Sequence, residues 1–169
     1  METTKHNGHP KPVLTQTKNN TTLWIGHLKS DPNDHLAGQT FLCPSDGLLH
    51  NIQVYSSMVN EPGEVTLSLH EFEPVSNTWG SAIGQSSLSL QKEDEAQWIR
   101  FTLEPVQLQK GATYAFKLQA SNAFVGLGEA VSDAKKPFSF GQAWNADTKN
   151  LKGHFMRYFS MAFKVELCA

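Results

Sequence analysis

The sequence predicts an all-β, antiparallel fold: a single-domain β-sandwich of jelly-roll type. Three observations predict it. Apolar residues recur with period two over most of the chain, turn residues fall between the alternating runs, and no segment has helical periodicity. Composition agrees. The 169 residues hold 14 Ser, 12 Thr, 10 Asn and 10 Gln, while charged residues make up only 18%. A surface rich in hydroxyls and amides suits strands better than helices, which favour Glu, Lys and Ala.

Residues 1–21 are polar and without hydrophobic periodicity, and carry three lysines against one glutamate. They read as an N-terminal arm that is flexible or orders against a partner, ahead of a sandwich domain over 22–169. Weaker candidate strands then follow at Leu23–His27, Gly38–Cys43 and His50–Ser56. Next come Val65-Leu67-Leu69, alternating with Thr66-Ser68-His70, and a weaker run at Ser86–Leu90. Ile99, Phe101 and Leu103 alternate with Trp98, Arg100 and Thr102, and Tyr114, Phe116 and Leu118 with Ala115 and Lys117. A weak run at Phe138–Gln142 precedes the clearest strand, in which Phe159, Met161, Phe163, Val165 and Leu167 share one face. Ser45-Asp46-Gly47, Glu61-Pro62-Gly63 and Lys110-Gly111 punctuate the series. Without crossover helices these strands cannot form a parallel sheet, so two stacked antiparallel layers must bury their apolar faces. Phe41, Phe101, Phe116, Phe159 and Phe163 are large enough to fill the roughly 10 Å between layers.

The charge balance excludes several classes. A net charge of −2 leaves no basic footprint for nucleic acid. No apolar run reaches the ~18 residues of a membrane-spanning helix, so no membrane insertion is expected. Met1 to Asn20 lacks the apolar core of a secretory signal, so the chain is expected to stay where it is made or to leave without a cleaved signal. Cys43 and Cys168 are read as free thiols, pairing only if their strands are neighbours. Asn19 and Asn20 each begin a glycosylation sequon, relevant only to a eukaryotic secretory protein.

The runs Trp98-Ile99-Arg100-Phe101-Thr102-Leu103, Pro105-Val106-Gln107-Leu108 and Gly111-Ala112-Thr113-Tyr114-Ala115-Phe116 resemble bacterial choice-of-anchor β-sandwich modules. Gly38-Gln39-Thr40-Phe41 and Val65-Thr66-Leu67-Ser68-Leu69 are similar to further strands of that family, extending the likeness over about 37–167. The resemblance implies a non-enzymatic module of surface or secreted proteins, often beside carbohydrate-active or adhesive domains.

Trp24, Trp79, Trp98 and Trp144 are the first candidates for function. Alternation turns Trp98 away from the core, whereas Trp79 and Trp144 are expected in loops. Flat aromatic faces stack on sugar rings, and Asn77, Gln142, Asn145 and Asp147 lie close enough in sequence to bond hydroxyls. The competing reading makes each Trp a cap on the sandwich core. Seven histidines form no HxH or HExxH pair, so no metal site is expected among them. Asp31-Pro32-Asn33-Asp34-His35 offers oxygens for a structural calcium, but without the D-x-D-x-D-G pattern it reads better as an Asx-rich turn, and no cofactor is expected. Nucleophile-elbow and P-loop motifs are absent, and Gly126-x-Gly128 lacks the third glycine of a dinucleotide fingerprint. The acidic run Glu93-Asp94-Glu95 is a solvated turn, so no enzyme is expected. The leading expectation is a non-catalytic module that recognises carbohydrate or a surface ligand. The alternative is a structural or adaptor subunit of an extracellular or phage-like assembly, forming homo-oligomers through sheet edges or the arm.

Overall fold

Side-chain alternation governs the backbone throughout the computed structural model, which describes residues 9–132 and 136–168. Thirteen strands follow in order: β1 Lys11–Gln16, β2 Thr21–His27, β3 Asp34–Leu42, β4 Gly47–Glu61, β5 Gly63–Glu73, β6 Thr78–Leu90 and β7 Gln97–Leu108. They continue as β8 Thr113–Gln119, β9 Phe124–Val131, β10 Ala143–Asp147, β11 Asn150–Met156, β12 Phe159–Met161 and β13 Phe163–Cys168. Among the described residues the helical content is a single 3-10 turn, Lys92–Asp94. All pairings among the described residues are antiparallel, and β2–β3, β5–β6 and β10–β11 are joined directly as hairpins.

The expected all-β, sandwich-like single domain is the fold observed, with its walls joined into one curled, half-barrel sheet. The main path runs β1-β13-β4-β9-β2-β3-β8-β5-β6, while β7 pairs with β4 and β10 with β3. Continuity comes from β4. Its first part pairs with β13 and β7, and its last residues, Ser56 to Glu61, pair with β9. Register shifts at Ser56/Met58 and Val59/Glu61 mark that bend, as bulges do. The core lies inside the curl. Phe163 of β13 sits 6.2 Å from Phe41 and 5.6 Å from Phe116, ring centre to ring centre, and all three are fully buried. Phe41 and Phe116 belong to the paired strands β3 and β8, so these contacts cross from one wall to the other.

Several segments differ from the sequence expectation, two of them beside the core. Lys11–Gln16, placed there in the polar arm, is an edge strand paired with β13. Val13 and Leu14 lean on the core, and buried Gln16 donates through Nε2 to the carbonyls of Met161 at 3.1 Å and Lys18 at 2.9 Å. Pro12 suits an edge, where a missing N–H costs no ladder bond, and a bulge follows it. The arm's residues 1–8 lie outside the described residues. The second difference is Phe138–Gln142, which is not a strand. Its Phe140 and Gln142 carbonyls accept the amides of Leu42 at 2.7 Å and Thr40 at 3.0 Å, and the strand proper begins at Ala143. Cys43 is buried and Cys168 partly so, both as free thiols, and burial pushes the Cys43 thiol above its usual range.

The inward row Val125, Leu127 of β9 continues into a carboxyl group, Glu129, which is 4% exposed. The Thr21 hydroxyl donates to its Oε1 at 2.9 Å, and Oε2 has no partner among the described residues. Burial holds this carboxyl above the usual carboxylate range, with the Thr21 bond opposing. A raised folded pKa means that the native state keeps its proton longer than the unfolded chain does. The stability it contributes is therefore complete in acid and is lost as pH rises through the folded pKa. Glu129→Gln should raise the melting temperature near pH 8 and change it far less near pH 4, each ~1 kcal/mol appearing as roughly 2–4 °C. Thermal denaturation at both pH values checks this, and equal shifts would show that the carboxyl does not titrate on unfolding. Removing residues 1–16 strips the edge from β13 and should lower the melting temperature by several degrees, measured by circular dichroism.

Candidate functional site

The four tryptophans occupy three separate surroundings. Trp79 and Trp144 are not in loops: they lie on β6 and β10. Trp144 is 1% exposed, its N–H donates to the Lys152 carbonyl at 3.1 Å, and its ring lies over Gly38. A Cβ on Gly38 would come within 2.9 Å of the Trp144 ring and 3.1 Å of the Trp79 ring. Glycine is thus what lets both indoles settle on the outer face of β3. Trp79, half-buried, meets Trp144 edge-on at 5.0 Å, Phe72 at 5.7 Å and His70 at 5.3 Å. Phe72 reaches Phe155 of β11 at 5.5 Å, and Leu36 and Ala146 close the cluster. The Lys117 ammonium stands 4.8 Å from the Trp79 ring centre and 5.4 Å from that of Trp144, a cation–π arrangement. Burial lowers the Lys117 pKa, and it lowers that of His70 beside Trp79. The expectation that Trp144 presents a free face to a ligand is corrected: the ring is packing for the β10–β11 hairpin.

Trp98, on β7, does point away from Ile99 and Phe101. It meets Tyr55 of β4 edge-on at 5.5 Å, and the Lys164 ammonium stands 4.1 Å from its ring centre. The polar candidates divide between two clefts. Asn77 occupies the β5–β6 turn with φ 52° and shares a shallow cleft of about 460 Å³ with Gln142, Phe138 and Arg157. Backbone bonds to Thr40 fix Gln142 there. Asn145 and Asp147 line a different cleft of about 400 Å³, together with Trp24, Phe124, His35 and His154.

This last cleft is built from β2, β9, β3 and the β10–β11 hairpin. Leu23 and Ile25 of β2 enter the core, which turns Trp24 outward. Its ring is stacked on Phe124 at 4.7 Å and 9°, giving a rigid two-ring platform. Gly126, its partner on β9, leaves room beneath, since a Cβ would come within 3.2 Å of the indole. Opposite, Asp147 accepts the amides of Lys149 at 2.9 Å and Asn150 at 2.8 Å through Oδ1, shaping the hairpin turn. Asn150 Oδ1 accepts the Gly153 amide at 3.3 Å, and Asn145 Nδ2 contacts Met156 Sδ at 3.6 Å. Asp147 Oδ2, Asn145 Oδ1 and Asn150 Nδ2 make no hydrogen bond to other described residues.

At the rim, His35 Nε2 lies 2.8 Å from Asp31 Oδ2, and His27 Nδ1 lies 2.8 Å from Asp34 Oδ1. The Asn33 amide, first, and His35 hold the Asp31 carboxyl below its usual range. In the Asp31–His35 loop, read from sequence as an Asx turn or a calcium loop, Asp31 Oδ1 accepts the Asn33 amide at 2.9 Å, which is an Asx turn. Compared with known proteins, the chain matches no protein-family model and no curated sequence.

Trp144→Ala empties a filled seat and should cost about 3–5 kcal/mol. Trp98→Ala, on the outer face, should cost far less. Urea denaturation of the two variants tests this ranking, and an equal cost for both would contradict it.

Proposed function

We propose that the protein is a non-catalytic carbohydrate-binding module whose ligand lies between Trp24 and the β10–β11 hairpin. One observation carries the reading: the Trp24 ring, stacked in parallel with Phe124, lines a cleft together with planar polar side chains. A pyranose has an apolar C–H face and a rim of hydroxyls. An aromatic platform takes the first, and amide and carboxylate groups placed around it take the second. In this reading Asn145 and Asp147 keep the polar role expected of them, and Trp24 takes the stacking role instead of Trp79, Trp98 and Trp144. The resemblance to choice-of-anchor modules points the same way, toward recognition of a surface glycan.

Three variants test the reading by tryptophan fluorescence and calorimetry against a glycan panel. Trp24→Ala should weaken binding of the responding sugar at least tenfold, about 1.4 kcal/mol, with an unchanged far-ultraviolet spectrum. Asn145→Ala should weaken it through a lost hydrogen bond. Trp98→Ala should leave it unchanged. A glycan that binds Trp24→Ala as tightly as the parent protein would sink the proposal.

A further inference from the structure

The Trp24 cleft does not end at the hairpin. A second cleft of about 350 Å³ adjoins it, and His35 and Leu36 line both. The second is edged by Asp34, Glu64, Thr66 and Gln119, and the hairpin turn borders the pair, with Asp147 on the first and Thr148 and Leu151 on the second. Trp24 belongs to β2 and Glu64 to β5, and the sheet order between them is β2-β3-β8-β5. Three strand spacings of about 4.8 Å separate them, a run near 14 Å. That is a groove for a chain, longer than a single ring requires.

The charges along this groove have one sign. Asp147, Asp34 and Glu64 line the two clefts, and no lysine or arginine is among their lining residues. Asp34 has His27 beside it, whereas Glu64 is exposed and has no ion-pair partner among the described residues. Carboxylates around a partly enclosed groove attract cations and repel anions, and the effect weakens with salt.

We infer that the joined groove binds an extended chain of amino sugars, with protonated amines facing Glu64, Asp34 and Asp147. This rests on the carbohydrate reading of the Trp24 cleft and narrows it to a polymer bearing free amino groups.

The test compares β-1,4-linked glucosamine tetramer, its N-acetylated counterpart, a glucuronic acid tetramer and monomeric glucosamine. Measurements are made near pH 7, where carboxylates are ionised, an ordinary histidine is mostly neutral, and the groove can draw on the protonated fraction of the sugar amines. The amino tetramer should bind at least tenfold tighter than the acetylated one and than the monomer. The uronic acid chain should not bind. Glu64→Gln, on an exposed side chain, should remove much of the amino preference, and so should high salt. If the acetylated tetramer binds as well as the amino tetramer, if the uronic acid chain binds, or if Glu64→Gln leaves the preference intact, the amino-sugar inference is overturned. A monomer as tight as the tetramer overturns the extended groove. In each of those cases, loss of binding in Trp24→Ala keeps the carbohydrate reading alive. Silence of every glycan in the series and in the wider panel overturns both.

Discussion

A hairpin joined to its sheet along one strand only is marginal in water unless something apolar lies beneath it. Here that support is the Trp144–Trp79 pair over Gly38, and the rest of the candidate site depends on it. Trp144 fixes β10 against β3, Phe155 ties β11 to Phe72, and the turn between them then stands as the wall of both clefts. The described residues therefore form two hydrophobic assemblies. The large one inside the curl makes the fold, and the small one outside makes the groove. Lys117 lies over both indoles of the small assembly, so a half-buried ammonium is held by ring faces with no carboxylate in ion-pair range among the described residues.

The walls of the large core are joined by a strand that changes partners. Because β4 leaves β13 for β9 along its length, the two walls share backbone bonds as well as side-chain contacts. The chain at Met161–Phe163 does the same on the other side of that junction, pairing with β9 before Ala162 and with β4 after it. Trp24 and Phe124 lie on strands at this seam, which places their platform on a well-anchored part of the sheet.

Sequence reveals such a fold where one face is dry and the other wet. Val65–Leu69, Ile99–Leu103 and Phe163–Leu167 alternate for that reason, and all are strands. Lys11–Gln16 gave little sign, because an edge strand with a proline and one flank open to water needs few apolar residues. Ala143–Asp147 was hidden differently. Ala143, Trp144 and Ala146 are all buried, since the main sheet and the hairpin's own cluster cover different sides, so no alternation survives. The site was half legible. Asn145 and Asp147 do line a cleft, and Asn77 and Gln142 line another. Trp24 is a candidate in the sequence without an assigned direction, although the signal exists: Leu23 and Ile25 point inward, so Trp24 must point outward, the same argument that places Trp98. Trp79 and Trp144 looked like loop residues because glycine and asparagine surround them, whereas Gly38, distant in sequence, is the seat that buries Trp144.

The pairing of β1 with β13 has a consequence for the making of the protein. These strands come from opposite ends of the described residues, and β13 also supplies the neighbour that β4 needs over most of its length. A chain synthesised from its N-terminus must therefore hold β1 and one side of β4 unpaired until β13 emerges. During that interval the apolar residues Leu49, Ile52 and Val54 have no opposite number from β13, and two sheet edges are open to other chains. Closure across so long a separation in sequence is a slow step, so folding is expected to finish after the ribosome has released the strand that completes the wall.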